Sequence, residues 1–460
     1  MGSVAVRAIV TVGVLIAVTA CGPTQPSPSA SASPSIVVAP SATVSAPPTP
    51  GRTSSPAVVH HAGPLATAGS VVVLGSDGSL SLVDAAGDSV LVASAEEGTF
   101  FLPAWSPDGS KIAAVRFGSE ERRILVFDAL APTADPVEIF RSSVVGPFYL
   151  SWTPDGRSVS FLADEAGSLS LRIAPADGSA PLDGTGPGAT IRTGSPLYFD
   201  WIEPDRLLAH VGIGPDALLG EIGIDGAPSS PALASAGEFR SAVVSPDQRF
   251  VGYVRARGGT SEIVVSARDR STEHAIPVFG LAAVAFDPTS DTLASIGPAE
   301  RASEPIGIPA GPLRLLDAES GRALTLLDGS VLSFWWSPDG KTIAALRLQP
   351  VGGAAASASP PPSPSAPRQE VRLLFVDVAS GDVGAQVVVQ PGRLFIEQLL
   401  SYFDQYALSH ELWAPDSSSI LIPIVNGDGT TSIAVTYRNG DPPATIEGAI
   451  AFWSPSATGG

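Results

Sequence analysis

Residues 103–117 read PAWSPDGSKIAAVRF, and the architecture of the chain can be worked out from them. Pro107 presets φ at the second position of a tight turn, Asp108 hydrogen-bonds to nearby backbone, and Gly109 takes the left-handed conformation that closes the turn. The residues after the turn alternate between the two sides of a strand, as they do in half-buried strands. The stretch therefore predicts a β-hairpin whose first strand ends at Trp105.

The same phrase recurs along the chain. Its apolar anchor residue, which precedes the turn, occurs at eight positions: Trp105, Trp152, Trp201, Val244, Phe286, Trp336, Trp413 and Trp453. Successive anchors are 47, 49, 43, 42, 50, 77 and 40 residues apart. Alternating apolar runs follow seven of the anchors. Four short strands in about 40–50 residues form the repeat of a β-propeller blade, so the sequence predicts an all-β propeller in which the bulky anchor wedges between neighbouring sheets.

The two ends of the chain complement each other. Residues 69–94 supply three strands without an anchor before them, and residues 449–455 supply an anchor strand with nothing after it. Joined, they would form one composite blade, so that the ring closes and no sheet edge stays open. The prediction is a propeller of eight four-stranded blades, closed by pairing of the C-terminal strand with the N-terminal blade. Seven blades are the alternative if one divergent repeat has degenerated.

The phrase Trp-Ser-Pro-Asp-Gly followed by Lys, Ser or Arg resembles the TolB-type (WD-like) propeller repeat, and the resemblance covers residues 67–460. The repeats at Trp105, Trp152 and Trp336 match closely. The others depart from the pattern because they lose Gly or Asp in the turn, and the repeat at Trp453 keeps only Ser-Pro. The resemblance implies the propeller architecture and says much less about function.

The N-terminus has the features of an export signal. Arg7 precedes a 13-residue apolar run at 8–20, which is too short to cross a membrane and fits the core of a signal peptide. Residues 18–22 resemble the bacterial lipobox, which implies that the signal peptide 1–20 is cleaved and that Cys21, the only cysteine of the chain, is lipidated. The alternative is an ordinary export signal with a chance cysteine. The expected location is the extracytoplasmic face of the cell membrane, with the lipid on Cys21 as the anchor.

Further segments divide the rest of the chain. Residues 21–66 hold the lipidated cysteine and a tether rich in Pro, Ser and Ala, which we expect to be extended and disordered. The propeller then spans 67–460. Within it, 351–369 is expected to be a disordered insertion, and the apolar spacing of 394–408 predicts a helical one.

The helical insertion is the candidate functional feature. It contains two of the six tyrosines of the chain. As a binding surface it would present Tyr402, Phe403 and Tyr406 to a ligand or partner, because exposed aromatic side chains are enriched at interaction sites. As a structural element it would be a cap that fills a gap at the rim of the propeller. The blade topology places it on the face opposite the Ser-Pro-Asp-Gly turns.

Composition argues against several classes of function. Lys and Arg number 26 against 45 Asp and Glu, and the net charge of −19 argues against nucleic-acid binding. One cysteine and five scattered histidines leave little for a metal site, so we expect no metal and no cofactor. The sequence has no Gly-x-Ser-x-Gly, His-Glu-x-x-His, P-loop or Rossmann glycine motif. No catalytic residue is therefore assigned.

These features predict a monomeric, tethered, non-catalytic module that binds or scaffolds a protein or peptide of the cell envelope. One alternative is an envelope enzyme, a glycan or peptide hydrolase or lyase with its site in the central channel. The second alternative is a solute-binding or sensory lipoprotein. Carboxylates with raised pKa clustered at the axis would favour the enzyme, and an apolar, aromatic groove would favour the binding module.

Overall fold

A computed structural model describes residues 58–59, 64–165, 167–183, 189–212, 217–229, 232–233, 242–257, 260–300, 307–351 and 369–456. The signal peptide 1–20, Cys21, most of the tether and positions 352–368 of the expected disordered insertion lie outside these residues. In the part of the chain that is described, the secondary structure is β-strand apart from three short helical turns, which confirms the predicted all-β class. None of these turns is long and apolar enough to cross a membrane.

Thirty strands occur in the described ranges, and we number them in chain order. The first fifteen are β1 (Val58–Val59), β2 (Ser70–Leu74), β3 (Leu80–Asp84), β4 (Ser89–Ala93), β5 (Thr99–Trp105), β6 (Lys111–Phe117), β7 (Arg122–Asp128), β8 (Val137–Ser142), β9 (Gly146–Trp152), β10 (Ser158–Glu165), β11 (Ser168–Pro175), β12 (Thr190–Thr193), β13 (Leu197–Glu203), β14 (Arg206–Val211) and β15 (Leu218–Gly223). The remaining fifteen are β16 (Val243–Val244), β17 (Phe250–Arg257), β18 (Thr260–Ala267), β19 (Glu273–Val278), β20 (Ala283–Phe286), β21 (Thr292–Ile296), β22 (Gly311–Asp317), β23 (Ala323–Trp336), β24 (Thr342–Pro350), β25 (Gln369–Asp377), β26 (Val383–Val389), β27 (Ser419–Val425), β28 (Thr431–Tyr437), β29 (Ala444–Glu447) and β30 (Ile450–Trp453).

Strands that follow one another in the chain pair in antiparallel fashion. This gives four-stranded sheets for β5 to β8, β9 to β12 and β16 to β19, and a three-stranded sheet for β13 to β15. A seven-stranded sheet runs from β20 to β26. It consists of two four-stranded units, because the long strand β23 pairs with β22 largely through its first half and with β24 through its second half. β27 to β29 form another sheet, and β1 pairs with the outer edge of β29.

The first and last parts of the chain meet in one sheet. Val71 to Leu74 lie antiparallel to Ile450–Trp453, and the strand order is β30-β2-β3-β4. Strand β2 is therefore hydrogen-bonded on both sides and does not form a sheet edge. The side chains of Val71, Val72 and Val73 are fully buried.

The Ser-Pro-Asp-Gly turn has the geometry that its residues predict. The Ser106 hydroxyl donates to the Asp108 carboxylate at 2.6 Å and accepts from the backbone N–H of Lys111 at 2.9 Å. Gly109 has a φ of +72°, and its N–H donates to the Ser106 carbonyl at 2.8 Å. The Ser106 hydroxyl, together with the backbone N–H of Ser110 that donates to the same carboxylate at 3.0 Å, lowers the pKa of Asp108 by stabilising its anion. The same hydroxyl-to-carboxylate bond recurs in other repeats, at Thr153, Ser245 and Ser337.

The anchor tryptophans bond neighbouring sheets together. In four repeats the indole N–H donates to the carbonyl of the residue directly before the anchor of the preceding sheet. These bonds run from Trp105 to Phe452 (3.0 Å), from Trp152 to Ala104 (3.0 Å), from Trp336 to Ala285 (3.3 Å) and from Trp413 to Trp335 (3.1 Å). The anchor thus wedges between sheets, as predicted, and its buried indole N–H finds an acceptor on the inner strand of the neighbouring sheet.

One junction differs from this pattern. The Trp453 indole N–H has no partner among the described residues. Its backbone N–H donates instead to the carbonyl of Glu411 at 2.8 Å. Residues 411–413 occupy the place of a first strand beside β27, although only Trp413 forms a bridge there, with Ile420. The bond is missing because this irregular segment replaces a regular strand.

The folded region begins before the predicted boundary at residue 67. Leu65 is fully buried, and its N–H donates to the carbonyl of Ala85 at 2.6 Å. The backbone of Val58 and Val59 pairs with β29. The predicted end of the disordered tether is therefore too late. The apolar pieces at this point are too short to show the alternation that identifies a strand in sequence.

Candidate functional site

The predicted insertion 394–408 forms a succession of helical turns. A π-helical turn (Phe395–Leu399) leads into a 3₁₀ turn (Leu400–Tyr402) and a single α-helical turn (Phe403–Tyr406). No side chain caps the start of any of them. Because helical turns this short are not stable in isolation, the segment must be held by tertiary contacts.

These contacts are made with the first strands of several sheets. Tyr406 lies 5.2 Å from Tyr149 of β9, Phe403 lies 5.3 Å from Phe334 of β23, and His410 lies 4.6 Å from Phe452 of β30, all between ring centroids. In a propeller the first strand of each blade lines the central channel. A segment that touches the first strands of three sheets therefore lies on the axis. We call residues 394–410 the axial plug.

Gln405 fixes the axial plug to two of these strands. Its side-chain NH₂ donates to the Tyr149 hydroxyl at 2.7 Å and to the Phe199 carbonyl at 2.8 Å. Its side-chain oxygen accepts from the Phe199 N–H at 3.1 Å. The amide thus pairs with the inner edge of β13 as a peptide group of a further strand would. It satisfies backbone groups that burial would otherwise leave unpaired.

A β-bulge brings Tyr149 to the axial plug. The register of β9 shifts beside this residue, which has a φ of +44° although it is not glycine. A bulge reorients the side chain that it carries, and the ring of Tyr149 is 2% exposed. Burial raises the pKa of the Tyr149 hydroxyl, so it remains a protonated donor to the plug. Leu102, which like Tyr149 lies three residues before its anchor, has a φ of +36° at a register shift of β5.

The three predicted partner-face residues do not form one exposed surface. Phe403 is 1% exposed and Tyr406 is 7% exposed, because both pack on the first strands. Tyr402 is 49% exposed and its ring lies 6.3 Å from that of Tyr198. The predicted exposed face is therefore wrong for Phe403 and Tyr406, and the rim cap is wrong because the segment packs on the first strands; the partner role of Tyr402 stays a prediction. The helical spacing identified its apolar side, but not the surface on which that side packs.

A pocket of about 290 Å³ lies beside the axial plug, at the end of the axis where the first strands run into their turns. Its walls are largely apolar and aromatic. They include Phe286, Trp335, Trp336 and Trp413, with Ala407, Leu408 and His410 from the plug. Prolines from five of the repeated turns also line it: Pro246, Pro288, Pro338, Pro415 and Pro455. We call this cavity the axial pocket.

Glu411 is the single carboxylate among the residues that line the axial pocket, and none of them is lysine or arginine. It is half-buried, and within the described residues its side chain has no hydrogen-bond or ion-pair partner. Burial raises the pKa of Glu411 to about 7, because surroundings of low polarity disfavour the charged form. Near neutral pH the group is therefore divided between a neutral acid and an unpaired anion.

Two other titratable groups lie near the axis. Burial lowers the pKa of His410 to about 3, so the imidazole is neutral at physiological pH. Asp200 accepts from the backbone N–H of Val244 at 2.8 Å, and burial raises the pKa of its carboxyl to about 7. Asp200 thereby joins two neighbouring sheets at a repeat whose anchor has no indole, and it does not line the axial pocket. The pocket thus offers one acid, whereas most glycosidases use a pair.

Sequence reasoning missed Gln405, Glu411 and Asp200. A signal existed for Asp200, since it directly precedes the anchor Trp201, the position whose carbonyl accepts a bond from the next sheet in four other repeats. No such signal existed for Gln405 and Glu411, because their roles depend on strands that are far away in the sequence. In the described ranges no group of three or more His, Cys, Asp or Glu side chains is placed to hold a metal ion.

Neither a protein-family model nor a curated protein sequence matches the chain. Solved structures resemble it in fold. The dihydro-heme d1 dehydrogenase NirN, solved in complex with DHE, has a TM-score of 0.51 at 15% identity, over 89% of this chain and 83% of that chain. TolB from Acinetobacter baumannii has a TM-score of 0.36 at 15% identity, over 84% of this chain, which spans 65% of that TolB chain.

The putative TolB from Agrobacterium tumefaciens has a TM-score of 0.32 at 17% identity, over 59% of this chain and 95% of that chain. The chain thus shares the fold of NirN, whose TM-score is above 0.5. At these identities the likeness concerns the fold alone, and it assigns neither an activity nor a ligand.

Proposed function

We propose that this protein is a lipid-anchored bacterial lipoprotein whose eight-bladed propeller acts, as a monomer, as a non-catalytic binding or scaffolding module for a protein or peptide of the cell envelope. The observation that carries the binding role is the arrangement at the axis. The axial plug fills it and leaves the ring of Tyr402 exposed at one end, while the pocket at the other end is apolar and aromatic with a single acid. Such a composition suits recognition.

The number of blades is supported by the strand pairing. The seven-stranded sheet supplies two blades, the sheet β30-β2-β3-β4 is the composite blade, and the sheet of β27 to β29 takes 411–413 as its inner segment. Together with the other four sheets this gives eight. Closure of the ring is supported by the pairing of β30 with β2, and by the Trp105 indole that donates to Phe452 across the same junction at 3.0 Å.

The lipid anchor rests on the sequence at Cys21. Full-length protein grown with an alkyne analogue of palmitate should become labelled and should sediment with membranes. The Cys21→Ser variant should lose both properties, since no other cysteine is present. A variant that is unlabelled but still sediments would show that another segment holds the protein to the membrane.

The partner-binding role is tested by photo-crosslinking in cells. Tyr402 is replaced by p-benzoylphenylalanine, because it is the exposed aromatic residue of the axial plug at 49%. Val144, 82% exposed in the loop before β9, carries the same probe as a control. A crosslinked envelope protein of defined mass from position 402, absent from position 144, is the expected result. Crosslinks to lipid alone, or the same bands from both positions, contradict a specific partner at this end of the axis.

One observation favours the second candidate, an envelope enzyme with its site in the channel. Glu411 has a pKa raised to about 7, which is the range that a general acid needs at neutral pH. Screening the full-length protein against glycan and peptide substrates, with Glu411→Gln beside it, tests this directly. Turnover that Glu411→Gln abolishes would replace the binding module by the enzyme.

A further inference from the structure

The axial pocket contains an acid without a counter-charge. Glu411 is its only carboxylate, no basic side chain lines it, and His410 is kept neutral by burial. A half-buried carboxylate without a partner is unfavourable. It gains most from a ligand that brings the missing positive charge, because charge-assisted contacts strengthen in surroundings of low polarity.

The walls of the pocket are suited to a cation that is also apolar. Three indole rings and the ring of Phe286 line it. Two of the indoles are fixed in orientation, since Trp336 donates to Ala285 at 3.3 Å and Trp413 donates to Trp335 at 3.1 Å. Aromatic faces attract quaternary ammonium groups in particular, and rings that are already held lose little freedom when a ligand binds.

The size of the pocket limits the ligand. Its 290 Å³ correspond to the liquid volume of about ten water molecules. We propose that the axial pocket is a binding site for a small organic monocation of the quaternary ammonium class, with Glu411 as its counter-ion and the indoles of Trp335, Trp336 and Trp413 as its walls. This site does not depend on the lipid anchor or on a protein partner at the other end of the axis.

The test compares a cation with its neutral isostere on the full-length protein in detergent. Choline and 3,3-dimethylbutan-1-ol have the same shape, and they differ in that a carbon atom replaces the charged nitrogen. Binding is followed by calorimetry and by indole fluorescence at pH 8, where Glu411 is ionised. We expect choline to bind about tenfold or more tightly than the alcohol, the range of a charge-assisted contact.

Two variants test whether Glu411 is the source of the preference for choline over the alcohol. Glu411→Gln should weaken choline about tenfold or more and leave the alcohol unchanged. Glu447→Gln, an exposed carboxylate on β29, should change neither. At pH 6 choline should bind about tenfold more weakly than at pH 8, since Glu411 then carries a proton. His410, the other titratable residue in the pocket lining, stays neutral at both values.

Three results overturn the proposal. The first is binding of the alcohol as tight as that of choline, and the second is full affinity of Glu411→Gln for choline. The third is no binding of choline or benzyltrimethylammonium at about 10 mM, well above the range of a specific site. The comparison of cation and alcohol uses the unmodified protein, so it stands even if a variant fails to fold. These results leave the crosslinking from position 402 unaffected, so this site and the proposed partner can fail separately.

Discussion

Gln405 and Tyr149, 256 residues apart in the sequence, are joined by two buried hydrogen bonds. The Gln405 side-chain NH₂ donates to the Tyr149 hydroxyl at 2.7 Å, and this hydroxyl donates to the Gln405 carbonyl at 2.8 Å. The pair joins the axial plug to the first strand of a sheet that precedes it by several repeats. The plug is therefore part of the propeller's core and not an appendage on its surface.

The pair should act as a unit in stability measurements. Gln405→Leu removes the side-chain donor to the Tyr149 hydroxyl and leaves the Phe199 backbone groups without a partner, and should cost about 3–5 kcal/mol. Tyr149→Phe should cost about 1–3 kcal/mol. In urea titrations the double variant should lose at least about 1 kcal/mol less than the sum. Gln390→Leu, at an exposed position after β26, is the control and should change little. Strict additivity of the first two variants would show that they do not share these bonds.

Two neighbouring aromatic residues of the axial plug differ in burial and should therefore differ in their contribution to stability. Phe403→Ala should destabilise the protein by about 3–5 kcal/mol, since it opens a cavity against Phe334. Tyr402→Ala should cost less than about 1 kcal/mol, because Tyr402 is 49% exposed. Denaturant midpoints of both variants, measured side by side, check this. Equal losses would contradict the placement of the plug on the axis.

The anchor tryptophans should contribute to stability through their indole N–H groups as well as their bulk. Trp105→Phe keeps an aromatic ring but removes the indole bond to the buried Phe452 carbonyl, at a cost of about 0.5–1.5 kcal/mol. Trp201 is the control, since its indole donates at 3.3 Å to the hydroxyl of Ser160 and not to a carbonyl. Trp201→Phe should therefore cost less than Trp105→Phe in the same titration. The reverse order would show that the indole-to-carbonyl bond is unimportant.

Closure of the ring can be tested by a disulfide across its junction. Val73 and Ala451 lie directly opposite each other in β2 and β30. In a chain that also carries Cys21→Ala, the variant Val73→Cys, Ala451→Cys should form a disulfide, because directly opposed side chains lie close enough for one. Its mobility in a denaturing gel should change on reduction. The matched pair Leu74→Cys, Ala451→Cys places the thiols on opposite faces of the sheet and should stay reduced. Equal oxidation of both pairs would contradict the observed register.

Asp200 should make stability depend on pH. Burial raises the pKa of its carboxyl to about 7 from the usual 3.8, so the folded protein holds a proton that the unfolded chain has lost. Its contribution to stability is therefore present below about pH 4 and disappears as the pH rises through 7. Because Asp200 is half-buried, solvent screening reduces the effect to about 2 kcal/mol.

A comparison of variants isolates the contribution of Asp200 to the pH dependence of stability. Asp200→Asn keeps an acceptor for the Val244 N–H, and it should gain about 2 kcal/mol relative to wild type between pH 5 and pH 8. His410, whose lowered pKa makes stability rise with pH below about 6.5, is present in both proteins and cancels. Asp205→Asn, at an exposed position, should follow wild type. If the difference in stability between Asp200→Asn and wild type does not change with pH, the Asp200 carboxyl is exposed to solvent and its pKa is not raised.

The repeating unit is encoded locally in the sequence. Whether Pro107, Asp108 and Gly109 form a tight turn depends on residues within a few positions, so the local pattern was sufficient. The alternation after the turn identified the strands for the same reason. The position of Trp105 directly before the turn predicted that its side chain lies between sheets. The hydrogen bond from its indole to the Phe452 carbonyl agrees with that prediction.

The position of the insertion at 394–408 depends instead on the assembled fold. Its spacing marked an apolar side, but the partners of that side, such as Phe334, come from other repeats. For the same reason the sequence did not single out Glu411, whose raised pKa depends on the pocket around it. Hydrophobic packing is non-directional. An apolar pattern therefore shows that a surface is buried, but it does not show which residues pack against it. That information arises when the sheets come together around the axis.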